Sequence, residues 1–245
     1  MENLALFCSL LFIVAFLYGS VGHGGASGYL ALMAIFSVTP EVMKPTALLL
    51  NVFVSLVSFI QFYRAGHFKS SLFWPFVLTS IPLSFLGGMI VVDGSVYKQV
   101  LGLLLFVPVA RFIFFDKVHE KSLKAPNLAL SLLIGASIGF LSGLIGIGGG
   151  ILLSPIVLLL GWAGQKQTAA LSAAFILVNS LAGLSGQFIQ GVHFSADMYL
   201  YVIVVFAGGM LGAYFGAIRS TQRRLQYILA GVLLLAACKL VFTTV

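Results

Sequence analysis

Apolar residues in this chain come in long runs, and the polar positions fall mostly in the short gaps between them. The runs cover residues 4–21, 27–38, 45–63, 72–92 and 96–115, then, past a charged stretch, 128–145, 151–162, 168–189, 198–218 and 225–242. Runs of about 20 apolar residues match helices crossing a hydrocarbon core of roughly 30 Å. No stretch of about ten residues alternates as the strands of a membrane barrel do. The pattern predicts an all-α integral membrane protein. The first run is read as a retained helix, because Glu2 stands where a signal peptide carries positive charge.

The order of long and short runs repeats, and landmarks repeat with it. Gly19, Gly22, Gly24 and Gly25 match Gly143, Gly146, Gly148 and Gly149; Gln61 and Phe62 match Gln187 and Phe188; Gly87, Gly88 and Met89 match Gly208, Gly209 and Met210. This predicts one transmembrane domain over 1–245, made of repeats 1–118 and 125–245. Each has four long membrane helices and one short re-entrant or broken helix after a glycine-rich turn.

Composition agrees: 60% of the 245 residues are apolar and 8% charged, with a mean hydropathy of +1.13, far from the charge content of a soluble domain. The excess of 13 Lys and Arg over 6 Asp and Glu sits in loops, where it sets membrane orientation; nucleic acid is not an expected partner. Cys8 and Cys238 lie in opposite terminal runs without metal spacing, so neither metal nor cofactor is expected.

Charge also decides how the halves are oriented. If each broken segment crosses once, the basic residues divide seven to six between the faces. If each enters and returns, Arg64, Lys69, Arg111, Lys117, Lys121, Lys124, Lys166, Arg219, Arg223 and Arg224 share one face. Only Lys44, Lys98 and Lys239 remain opposite, a split of ten to three. The second arrangement obeys the positive-inside rule. It predicts two inverted repeats with both termini outside.

The breaks are the candidate site. Gly19, Gly22, Gly24, Gly25 and Gly28 put five glycines in ten residues, each costing about 1 kcal/mol relative to alanine inside a helix. Gly143, Gly146, Gly148, Gly149 and Gly150 repeat the pattern. The runs that follow, at about twelve residues, reach only about 18 Å, short of the bilayer core. Each then starts at depth and exposes free N–H groups and a positive dipole end, which favour an anion. Paired breaks in matching positions of two halves mark the binding site of secondary transporters; close packing of small residues is the alternative.

The run from Gly139 through Phe140, Leu141, Ser142 and Gly143 to Gly150, with Pro155, resembles the signature of the sulfite exporter TauE/SafE family. So do Leu171 and Ser172 with Asn179, Ser180, Leu181, Ala182 and Gly183. The likeness covers nearly the whole chain. The first half is looser: His23 stands opposite Ile147, Ala26 replaces a glycine, and no proline matches Pro155. The resemblance implies a transporter of sulfite or sulfonates, with export as the direction.

Candidate substrate-binding residues are therefore Gly22, His23, Gly24, Gly25 and Ser27 at the first break, and Gly146, Gly148, Gly149 and Gly150 at the second. Asn51, Ser55, Ser172, Asn179 and Ser180 join them from the helices that follow, either as anion donors or as glue between helices. His23 could bind an anion and couple protons, or satisfy backbone freed by the break. Lys44 and Lys166 flank the short segments and either attract anions or snorkel. All six acidic residues lie at ends or in loops, which leaves no interior carboxylate for a cation. The expected partners are a small anionic substrate and the lipid bilayer of a prokaryotic inner membrane, with a homodimer as the protein assembly considered. An anion channel and an uptake carrier are the alternatives. An enzyme is not expected.

Overall fold

The computed structural model describes residues 4–20, 24–114, 123–192, 196–218 and 222–242. Ten α-helices occupy them: α1 (Leu4–Ser20), α2 (Ala26–Ile35), α3 (Pro40–Arg64), α4 (Ser70–Met89), α5 (Gly94–Phe114), α6 (Leu128–Ile145), α7 (Gly150–Leu159), α8 (Gln165–Ile189), α9 (Ala196–Ile218) and α10 (Gln222–Phe242). Each predicted run became one helix, and the two short ones are only 10 residues long. Four helices, α3, α4, α6 and α8, are long and apolar enough to cross a membrane. The others contribute shorter apolar stretches over their described residues.

Local chemistry sets several boundaries. Pro40 opens α3, where its missing N–H is not needed. Asn127 caps α6, its Oδ1 accepting from Leu130 N at 3.0 Å. Asp93 precedes α5 and accepts from Ser95 Oγ at 2.5 Å and Ser95 N at 2.8 Å. The Ser95 hydroxyl, helped by backbone N–H groups, holds that carboxyl below its ordinary value.

Glycines let helix backbones touch. Added methyl groups at Gly135, Gly139 and Gly143 of α6 would collide with the carbonyls of Phe76, Ser80 and Ser84 of α4, respectively. The paired numbers rise together, so α4 and α6 run parallel. Gly208 and Gly212 of α9 meet Phe12 and Phe16 of α1 in the same sense. By contrast, Leu48 of α3 meets Gly183 of α8, while Asn51 and Ile176 flank the same glycines further along; this pair runs antiparallel. The packing is also matched between halves: α1 packs on α9 as α6 does on α4, and α2 meets α10 as α7 meets α5.

Both broken segments fold back to the end at which they began. Phe7, near the start of α1, stacks edge-on against Phe36, just past α2, with ring centroids 5.2 Å apart. Lys124 N, ahead of α6, donates to Gly161 O, just past α7, at 2.8 Å. The end of α2 lies by the end of α10, where Lys239 Nζ donates to Ala34 O and Ile35 O at 3.0 and 2.7 Å. At that same end Lys44 Nζ donates to Gly88 O and Ile90 O, each at 3.2 Å, and Tyr97 OH donates to Ile145 O at 2.7 Å. Lys44, Lys98 and Lys239 thus share one end of the bundle. Lys117, Lys121 and Arg219 lie outside the described residues.

Candidate functional site

α3 and α8 are each 25 residues long, and Asn51 and Ile176 each stand twelfth in their helix. At 1.5 Å per residue, both lie about 17 Å from the helix start, near mid-depth. The two breaks meet at this pair. A methyl group at Gly24 would come within 3.0 Å of Ile176 and 3.3 Å of Asn51 Oδ1; one at Gly148 would strike Asn51 Nδ2 and come within 3.0 Å of Ile176. The N-termini of α2 and α7 therefore converge on one point between α3 and α8.

The backbone is shaped for it. Gly25 and Gly149 are the N-caps, at φ +88° and +77°, and neither receives a side-chain cap. Positive φ is strained for residues with a Cβ, and uncapped first turns leave N–H groups without helical partners. The first turn of α2 lines the small volume between the breaks through Ala26 and Ser27, and α7 reaches it through Ile151; a helix N-terminus carries the positive end of its dipole.

Around that volume lie Tyr18, Gly24, Gly25, Ala26, Ser27, Asn51, Ile147, Ile151 and Ile176, enclosing a cavity of about 10 Å³. That is room for about one water molecule. The first-half residues supply the polar wall. Tyr18 OH and Ser27 Oγ share a hydrogen bond of 2.6 Å. Asn51 is 0% exposed, and neither its Oδ1 nor its Nδ2 has a hydrogen-bond partner among the described residues. Tyr29 OH, folded over Gly25, is likewise buried without a partner there. An unsatisfied buried amide costs about 1–3 kcal/mol, so Asn51 is the polar group of this wall with most to gain from a partner. The second half supplies Ile147, Ile151 and Ile176.

The sequence-predicted residues divide accordingly. Gly24, Gly25, Ser27 and Asn51 line the cavity, and Gly148 and Gly150 press on its Asn51 and Ile176 walls. Gly22 and His23 lie outside the described residues. Gly146 sits at the end of α6 against the Lys44 backbone, and Gly149 packs on Ile138 and Phe175. Ser172 pairs with Ser154 Oγ at 2.7 Å behind α7. Ser55 donates to Asn51 O at 2.6 Å, one turn along α3. Asn179 turns back on its own helix, with Nδ2 donating to Phe175 O at 2.8 Å. Ser180 is buried without a partner among the described residues, away from the cavity lining. Lys44 is tied to the carbonyls ending α4. Tyr18, Tyr29 and the three isoleucines were not among the candidates; in sequence they look like ordinary membrane-helix residues.

Known proteins are similar in sequence to this chain along most of its length. A probable membrane transporter protein, y4hK, of Sinorhizobium fredii is 36% identical over 236 residues, covering 94% of this chain and 95% of its own. The probable membrane transporter protein MJ0441 of Methanocaldococcus jannaschii is 32% identical over 216 residues, covering 81% of this chain and 77% of its own. Another probable membrane transporter protein, YunE of Bacillus subtilis, is 28% identical, covering 84% of this chain and 82% of its own. No solved structure matches the chain. The family model described as sulfite exporter TauE/SafE matches residues 7–240, which takes in both breaks and every helix around the cavity. The chain is a multi-pass membrane protein that belongs to the sulfite exporter TauE/SafE family of membrane transporters.

Proposed function

We propose that this transporter is a secondary carrier that exports a small sulfur-containing anion, sulfite or an organosulfonate, across a prokaryotic inner membrane. The observation that carries the reading is the meeting of two uncapped helix N-termini on the unpartnered amide of Asn51. Backbone N–H groups, an amide and positive dipole ends at mid-depth suit an anion and offer a cation little. The family's description supplies the sulfur chemistry and the outward direction.

The helix directions support two inverted repeats. α1 runs with α9, and α6 with α4, so the opening helices of the halves point opposite ways once each broken segment returns to its own end. Lys44, Lys98 and Lys239 then mark the outer face. A cavity with room for about one water favours a carrier in a closed state over an open channel. Alternating access would widen it from one end at a time.

The test is flux of labelled sulfite and a small sulfonate in liposomes carrying the purified protein. Saturable flux of either anion, with counter-transport, is expected; Gly24→Val should abolish it while the protein remains folded. Equal flux in well-folded Gly24→Val would move the site away from the breaks, and flux without saturation or counter-transport would make the protein a channel.

A further inference from the structure

The matched helices α3 and α8 each place one residue at the centre of the cavity, and the two differ. Asn51 and Ile176 occupy the same step of α3 and α8, and both touch both breaks. A site symmetric in chemistry would carry two amides. This one carries an amide from the first half, beside the Tyr18 and Ser27 hydroxyls, and an isoleucine from the second. Ile147 and Ile151 extend the isoleucine into an apolar wall, and Gly150 leaves the space that the Ile176 side chain fills.

We propose that Ile176 is the specificity-determining residue of this transporter. Placed opposite Asn51, it withholds a second amide and presents an apolar wall. The site therefore selects anions with one polar head and an apolar flank over bare inorganic oxyanions. This rests on the proposed site between the breaks and narrows its substrate class. An inorganic oxyanion is polar all round and would lose hydration against the isoleucines without a new partner. An alkylsulfonate places its oxygens at Asn51 and the helix N-termini, and its carbon chain against Ile147, Ile151 and Ile176. An apolar pocket discriminates by about tenfold or more for each methylene it accepts.

The experiment compares sulfite with ethanesulfonate, which share an S–O head and differ in the tail, as competing substrates in proteoliposomes of the full chain. Wild-type protein should favour ethanesulfonate by about tenfold or more. Ile176→Asn should bring the ratio near one by admitting sulfite, and Ile176→Val should keep it. Ile176→Ala keeps the wall apolar but widens it, and should move the preference towards a longer alkylsulfonate. It reads the same wall if Ile176→Asn does not fold. A wild-type preference for sulfite, or a ratio unmoved by Ile176→Asn and a chain-length preference unmoved by Ile176→Ala, would overturn the role of Ile176 and leave the carrier reading standing. Transport of neither anion would overturn both.

Discussion

At the first break Tyr18, Ser27 and Asn51 face the cavity, whereas at the second Ile147, Ile151 and Ile176 do. The surrounding architecture is nonetheless matched, with left-handed glycine caps at the start of both short helices and the same helix pairings in both halves. The scaffold that folds the segments back tolerates little change, because backbones touch through glycine. The side chains that meet at the centre are free of that constraint. The two breaks thus place two helix N-termini alike while the side chains around them differ, polar at one and apolar at the other.

Substitutions can break this contrast at different depths. The largest effect is expected from Asn51→Leu, which removes an amide with no partner among the described residues. A hydrogen bond to a charged ligand is worth up to about 3 kcal/mol, so flux should fall by about a hundredfold. Thermal melting in detergent should be unchanged or raised. Asn179→Leu, whose Nδ2 is bonded within its own helix and whose Oδ1, without a partner among the described residues, lies away from the cavity lining, should keep flux within a few-fold of wild type. Equal losses in the two variants would erase the distinction between these amides.

Next comes the scaffold. Gly143→Ala forces a methyl group into the Ser84 backbone and should cost about 2–3 kcal/mol, read as a lowered melting temperature. Gly231→Ala on α10, with open space around it, should instead stabilise by up to about 1 kcal/mol.

The breaks themselves should respond unequally. Gly148 has φ +75° and its added methyl would strike Asn51, so Gly148→Ala should cost about 1–2 kcal/mol. Gly24 has no positive φ and looser neighbours; Gly24→Ala should cost less than about 1 kcal/mol. Matched losses on melting would show that the second break is no more strained than the first. The smallest effect on flux is expected from Ser154→Ala. It loses hydrogen bonds to Ser172 and Gly150 and should cost about 1 kcal/mol of stability without changing flux. Ser27→Ala, on the cavity wall, should reduce flux several-fold for a similar cost.

The ten helices and both breaks were legible from the sequence because hydropathy and glycine spacing act locally. Residues 128–145 were bounded as predicted. Starts were less legible: α3 begins at Pro40 and α8 at Gln165, where polar residues such as Glu41 and Lys166 continue the helix beyond its apolar run. Within the site, Asn51 and Asn179 looked alike, and only helix phase separates them. Asn179 stands three residues past Ile176, about 300° further around α8 and almost one turn along, where its amide reaches the Phe175 carbonyl instead of the cavity. Ile176 carried no signal at all, since one isoleucine in a membrane helix resembles any other. Lys44 was read as drawing anions or snorkelling; the unpaired carbonyls at the end of α4 gave it nearer partners.

The parallel seams between α1 and α9 and between α4 and α6 join opposite halves of the chain. During synthesis, therefore, α1 waits for its main neighbour until Ala196 and the residues after it have been made. Neither half can close its own bundle, and contacts so distant in sequence slow folding. Docking of the Gly208 and Gly212 surface of α9 on α1 is consequently a late assembly step.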